Sequence, residues 1–324
     1  MSQQVAVFVD EPLARYRFPA GHPFSIDRQG AFWDEARARG LDKRVDVRPT
    51  RPARRSELTR FHTPDYVALV ESASRRGVGW LDDGDTPVFP GMYEAASAVA
   101  GAAMEGVEWI MAGENRRSFQ PVGGLHHARP DAAAGFCVFN DLGLVIRTLR
   151  EKHGVRRIAY VDIDVHHADG VFYPFEDDAE LIFADIHEDG RYLYPGTGFA
   201  YETGKGAARG TKLNVPLLPG SGDRDFLGAW ESVLDHLRHH APEFVVFQCG
   251  ADSLRGDPLG HLRYTPAAHA HAAQSLCQIA DESCHGRLMA FGGGGYELRN
   301  VSAGWCAVLE ELIKAQDRGA SSSG

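Results

Sequence analysis

The sequence has no unbroken apolar run near the ~18 residues that a membrane-spanning helix needs, so no transmembrane segment is expected. It opens MSQQVAVFVD, without the basic-then-apolar profile of a secretory signal, and a cytoplasmic address follows by default. Cysteine is sparse: Cys137, Cys249, Cys277, Cys284 and Cys306 are scattered, odd in number and free of any CxxC pair. That pattern argues against a disulfide framework and against a thiolate metal site. Basic charge is also short, with 34 Lys and Arg against 44 Asp and Glu and a net charge of −10. Phosphate neutralisation needs a basic face, so nucleic acid is not an expected partner. The acidic balance serves solubility first and the attraction of cationic ligands second. Internal repeats are lacking too, and oligomeric state is left open.

What remains is a globular composition, 44% hydrophobic and 24% charged over 324 residues, enough to bury a large core. Apolar runs alternate with amphipathic helical patterns, the rhythm of a mostly parallel sheet covered by helices on both faces. Strands are expected over 5–10, 156–165, 181–187, 244–250 and 287–293, several apolar on both faces. Helices are expected over 64–74 and from 265 to about 282, each opened by a Thr-Pro pair. Two more are expected near 91–112 and over 141–153, the latter closed by Gly154. The segment 188–212 is Gly-rich, long and unpatterned, as functional or disordered loops are. The motifs described next run from about residue 85 to residue 296, which favours one α/β domain over 1–318. The last six residues, GASSSG (319–324), have the composition of a flexible tail.

The most informative segment is YVDIDVHHADG, residues 160–170. In a strand, Asp162, Asp164 and His166 share a face. Two carboxylates and an imidazole on a buried face are costly unless something neutralises them, and a divalent metal does so directly. The bland alternative is a strand end whose acids cap the following turns. A second strand, FVVFQCG, delivers Asp252 to the same edge, where open α/β sheets place their ligands. Alone it reads as a turn residue. With Asp164 and His166 it makes the three-ligand O/N/O set that leaves catalytic zinc one open position.

His126 and His127 follow a strand-like SFQPVGG. Adjacent histidines are commonly a solvated pair, and His239-His240, ending a polar helix pattern, is given no role. Asp162 and Asp169 are candidates to orient the first pair, since a carboxylate on the far ring nitrogen fixes the tautomer. Four glycines, 292–295, then free the backbone before Tyr296. No Lys or Ser/Thr follows as a P-loop requires.

GGLHHARPDAAAGFCVFND, YVDIDVHHADGV, YPGTG, CGADSLRGDP and GGGGYEL stand in the order used by the histone deacetylase superfamily, which this chain resembles over roughly residues 85–300. That superfamily includes zinc-dependent histone deacetylases, bacterial acetoin-utilisation-type deacetylases and acetylpolyamine amidohydrolases. The likeness leans towards the acetoin-utilisation-type or class II-like members. The resemblance implies a three-layer α/β/α arginase/deacetylase-like fold and one zinc per chain on Asp164, His166 and Asp252. It implies that His126 and His127 are the general acid/base pair, supported by Asp162 and Asp169, and that Tyr296 polarises the amide carbonyl. Phe136 and Tyr194 would wall a narrow tunnel for an acylated alkyl chain, with Gly135, Gly294 and Leu259 also in the substrate-binding set. Asp85 matches a rim carboxylate that grips the substrate backbone in some members of the superfamily.

Three positions bear on specificity and ions. Tyr194 stands where most members have Phe, giving a slightly more polar tunnel. Leu259 stands where one polyamine-selective branch has a Glu, which weakens the polyamine reading. Asp185 stands where many relatives have a Ser at a structural potassium site, so it either strengthens monovalent binding or replaces it. The expected reaction is hydrolysis of an acetylated amine by metal-activated water, acetyl-lysine ranking ahead of acetylpolyamines and small acetylated amines. The rivals are an arginase-like binuclear manganese hydrolase and a catalytically silent acyl-lysine binder.

Overall fold

The computed structural model describes residues 4–321, with side chains as far as Arg318. Eight strands form one sheet: β1 (Val5–Phe8), β2 (Val45–Arg48), β3 (Arg117–Gln120), β4 (Ile158–Asp162), β5 (Leu181–Glu188), β6 (Lys212–Leu217), β7 (Phe244–Gln248) and β8 (Leu288–Phe291). Their order is β2-β1-β3-β8-β7-β4-β5-β6. Every pairing is parallel.

The apolar runs explain the three layers. Successive strand residues face opposite ways, so on β7 Phe244 and Val246 join one core while Val245 and Phe247 join the other. The helices Pro64–Arg76, Met92–Met111 and Asp141–His153 cover the first face. Arg28–Ala38, Asp223–His240, Pro266–Ser283 and Leu298–Ser321 cover the second. The expected start and stop signals operate. The Thr63 side chain accepts from the Tyr66 amide, and Thr265 accepts from Ala267. Gly154 closes its helix at φ 67°.

Several boundaries differ from those read in the sequence. The strand expected over 156–165 stops at Asp162, whose Oδ1 accepts from the Asp164 amide at 2.9 Å and turns the chain out of the ladder. Asp164 and His166 therefore sit on the loop beyond β4, not on its face. Edge strand β2 carries no clear pattern in the sequence, because only Val45 of its four residues is buried and it lies among arginines. Strand β6 begins at the end of the stretch read as unpatterned, which also holds a 3-10 turn at Gly206–Ala208. The last helix enters the segment read as a tail and reaches Ser321, while residues 322–324 lie outside the described residues.

The topology creates a crevice. From β4 the chain moves outward to β5 and β6, then returns to β7 on the other flank of β4. Loops leaving β4 and β7 diverge there, and open α/β sheets bind ligands at such a switch point.

Gly101 lets the helix Met92–Met111 lie against the segment before it: an added Cβ would stand 1.7 Å from the Arg51 carbonyl oxygen. Gly101→Ala should therefore cost roughly 1–3 kcal/mol through overpacking. A thermal melt checks this against Gly228→Ala, which opens into free space.

Candidate active site

Asp164 and His166 after β4 meet Asp252 after β7, with their ligand atoms all within 4.8 Å of one another. Both aspartates are buried, and the His166 side chain is 11% exposed. The carboxylates are held by donors on every side. Asp164 Oδ2 accepts from the Gly294 amide at 2.8 Å and from Gln248 Nε2 at 2.7 Å. Asp252 Oδ1 accepts from the Val165 amide at 3.1 Å. Asp252 Oδ2, by contrast, is buried with no hydrogen-bond donor. Buried carboxylate oxygens are costly to leave bare, and this one faces His166 Nδ1 at 3.4 Å. Burial opposes a charged imidazole, but the bond to Asp164 and the nearby Asp252 carboxylate outweigh it and push His166 up to about 10. Burial and Asp164 together push Asp252 up to about 7. An O/N/O set with one bare oxygen and a displaceable ring proton fits a divalent cation.

Beside this cluster, His126 Nε2 and His127 Nε2 face each other at 3.1 Å. Each ring is turned by its own carboxylate: His126 Nδ1 lies 2.9 Å from Asp162 Oδ2, and His127 Nδ1 lies 2.6 Å from Asp169 Oδ1. The two dyads are not equivalent. Burial would raise Asp169, but His127 and then His126 hold it below the usual carboxylate range. Burial, Asp185 and Asp164 hold Asp162 well above that range, and the Tyr160 hydroxyl also donates to it. Burial and His126 lower His127 to about 4, so its ring is neutral near pH 7 and free to take a proton.

Tyr296 follows the four glycines, its amide donating to Asp257 Oδ2 at 2.7 Å. Burial and Asp252 keep its phenol protonated, well above the usual tyrosine value. A cavity of about 220 Å³ runs inward past Asp85, Phe136, Leu193, Tyr194 and Leu259 to Gly135, His127, His166 and Tyr296. Below lies a chamber of about 20 Å³, bordered by Phe24, Leu125, Cys137 and the two aspartates of the cluster. That is space for little more than one water-sized group. The rings of Phe136 and Tyr296 stand 5.9 Å apart, those of Tyr194 and His127 5.1 Å apart. Gly135 is confined by function: a Cβ there would lie 2.5 Å from the His127 ring.

The structure thus brings together every residue singled out in the sequence for catalysis, metal binding and the tunnel, and places Asp85, exposed, at the mouth. It adds others that sequence reasoning missed. Gln248 ends β7 fully buried, bonding Asp164 and accepting from the Gly250 amide at 2.8 Å. A polar residue closing an apolar strand was its only sequence signal. Asp141 accepts from the Gly124 and Leu125 amides at 2.9 and 2.8 Å and so fixes the loop of the histidine pair. Arg28, buried, donates to the Gly293 carbonyl at 2.6 Å. No local pattern marks it.

A candidate cation cluster, a pair of imidazoles each paired with its own carboxylate, and a phenol at the end of a narrow tunnel are the parts a metal-dependent amide hydrolase needs. The histone deacetylase domain model matches residues 22–312, and the chain belongs to that family, whose activity is deacetylation. It is 34% identical over 317 residues to the acetoin utilization protein AcuC of Bacillus subtilis (strain 168), covering 95% of this chain and 82% of that protein. It is 34% identical over 327 residues to histone deacetylase RPD3 of Saccharomyces cerevisiae, covering 97% of this chain and 74% of that one. Among solved structures, the HDA15 HD domain superposes with a TM-score of 0.89 at 30% identity, covering 97% of this chain and 90% of that one. An HDAC homolog complexed with SAHA gives 0.85 at 30% identity, covering 96% and 84%.

Gly294 tests the cation cluster. Its Cβ, if present, would stand 1.9 Å from Asp252 Oδ2 and 3.0 Å from Asp164 Oδ2. Gly294→Ala should fold yet lose bound metal by elemental analysis; full metal content in that variant would place the ion elsewhere.

Proposed function

We propose that residues 1–318 act as one zinc-dependent deacetylase domain, with acetyl-lysine as the leading substrate. The observation that carries this reading is the pair of imidazoles 3.1 Å apart, each turned by a separate buried carboxylate, beside the Asp164–His166–Asp252 cluster. A pure binder of acyl groups has no use for a proton-transfer pair. Among the described residues only one cluster suits a metal, which speaks against a binuclear manganese hydrolase.

Asp164, His166 and Asp252 would hold the zinc, which when bound would supply Lewis acidity and make water acidic near neutral pH. The chain's own groups do the rest. Leu193, Leu259, Phe136 and Tyr194 exclude water around the alkyl tether and align the acetamide. The Tyr296 hydroxyl donates to the carbonyl oxygen as negative charge develops there. His126 and His127 remove the proton of the attacking water and return one to the leaving amine, with His127 the favoured donor in the second step. Asp162 and Asp169 hold the rings in the tautomer that presents both Nε2 atoms to the reaction.

The apolar wall suits the uncharged tether of acetyl-lysine, and relatives named histone deacetylases support that choice. A polyamine would bring a second ammonium to the tunnel. Asp85 at the mouth and the net charge of −10 favour that alternative reading, whereas Leu259 offers no charge to receive it.

Tyr296→Phe should lower kcat roughly 100- to 1000-fold, the cost of one oxyanion donor, while zinc content stays unchanged. Loss of zinc in that variant would contradict the role. A panel of acetylated peptides and acetylpolyamines, assayed on the zinc-loaded protein, should favour the peptides. Leu259→Glu should move the preference towards polyamines; a wild-type enzyme turning over polyamines alone would overturn the substrate assignment.

A further inference from the structure

Lys212 opens β6 as a buried lysine, and its ammonium is enclosed by oxygen. Nζ donates to the Asp178 carbonyl at 2.7 Å, the Leu181 carbonyl at 2.6 Å and Thr211 Oγ1 at 2.9 Å. The Thr211 hydroxyl spends its own proton on the Ala208 carbonyl at 2.8 Å, so towards Nζ it only accepts. Three acceptors require three N–H donors, and only the charged ammonium has three. A neutral amine would leave one of these three contacts without a proton. Burial and Arg150 work the other way, pressing Lys212 down to about 7, so the cage holds the proton against desolvation. Gly204 packs on the stem, where an added Cβ would lie 3.1 Å from Lys212 Cγ. A shell of main-chain and hydroxyl oxygens around one positive charge is the chemistry of a monovalent cation site.

A second buried place repeats the theme. Asp185 and His187 are fully buried on β5. His187 Nε2 faces the Gly198 carbonyl at 2.9 Å, which only accepts, so Nε2 carries a hydrogen. Nδ1 faces Asp185 Oδ1 at 2.7 Å, and a bond there needs one more proton. Whichever atom holds it, the pair is neutral as a unit. The other oxygen, Oδ2, accepts from the Ala168 amide at 2.9 Å. The Asp185 charge is matched by the proton it shares with His187, so the pair offers no net negative charge to draw in a potassium ion, against one of the two readings of Asp185 in the sequence.

We propose that this protein supplies its own monovalent cations: the Lys212 ammonium fills an oxygen cage that would otherwise take potassium, and the Asp185–His187 pair carries a proton where an ion would sit. The protein therefore needs no potassium, and removing the lysine side chain creates a potassium site between β5 and β6.

The test compares thermal midpoints in potassium, sodium and choline chloride at matched ionic strength, on the acid side of neutrality. Wild-type protein should melt at the same temperature in all three and show no saturable thallium-205 signal as a potassium probe. Lys212→Ala, with the cage vacated, should melt several degrees lower in choline and recover saturably with potassium. Lys212→Met fills the cage with an uncharged chain, so it should be destabilised without rescue. Potassium raising the wild-type midpoint over choline overturns the proposal, whether or not the variants fold. So does a Lys212→Ala protein indifferent to potassium, or a Lys212→Met protein rescued as well as Lys212→Ala.

Discussion

Four aspartates, Asp162, Asp164, Asp185 and Asp252, lie almost without solvent at the carboxyl ends of three neighbouring strands. Like charges cannot be buried together unless each is matched by donors, protons or cations. The surroundings are organised around that requirement. Backbone amides of Val165, Ala168 and Gly294 donate to three of the four, and Gln248 reaches Asp164. His126 takes up Asp162, and His187 takes up Asp185. Of their oxygens only Asp252 Oδ2 is left without a donor, and it belongs to the candidate cation cluster.

The same economy separates the two histidine dyads. Asp169 lies apart from the aspartate array and stays ionised against His127. Asp162 stands within it and is pressed towards its protonated form. Two adjacent histidines of one loop are thereby paired with carboxylates of opposite tendency, one held ionised and one pressed towards its acid form. Loops tied down by buried hydrogen bonds at the carboxyl end of the sheet carry most of these groups, while the mouth of the tunnel is built from loops carrying Asp85, Leu193, Tyr194 and Leu259. Specificity can change there without disturbing the centre.

The centre was legible in the sequence to the extent that it is local. Asp164 and His166 are two residues apart, His126 and His127 are adjacent, and Tyr296 follows its glycines, so short motifs displayed them. Apolar runs likewise marked the buried strands, because both faces of a parallel sheet are covered. Strands β2 and β6 escaped notice, since an edge strand is half solvated and carries mixed chemistry.

Residue types and spacing marked an α/β chain with a candidate cation cluster, and the family resemblance of its short motifs named the side chains expected to serve a deacetylase. Only the tertiary structure decided that Asp252 meets Asp164, because that depends on β7 lying beside β4 across 80 residues of intervening chain, roughly the separation of the two strands in sequence. It alone showed Gln248 bonding Asp164, Arg28 bonding the Gly293 carbonyl, and Lys212 ringed by oxygen. Each of these roles is set by partners distant in the chain, and burial gives a polar side chain its meaning through what surrounds it, which no local pattern encodes.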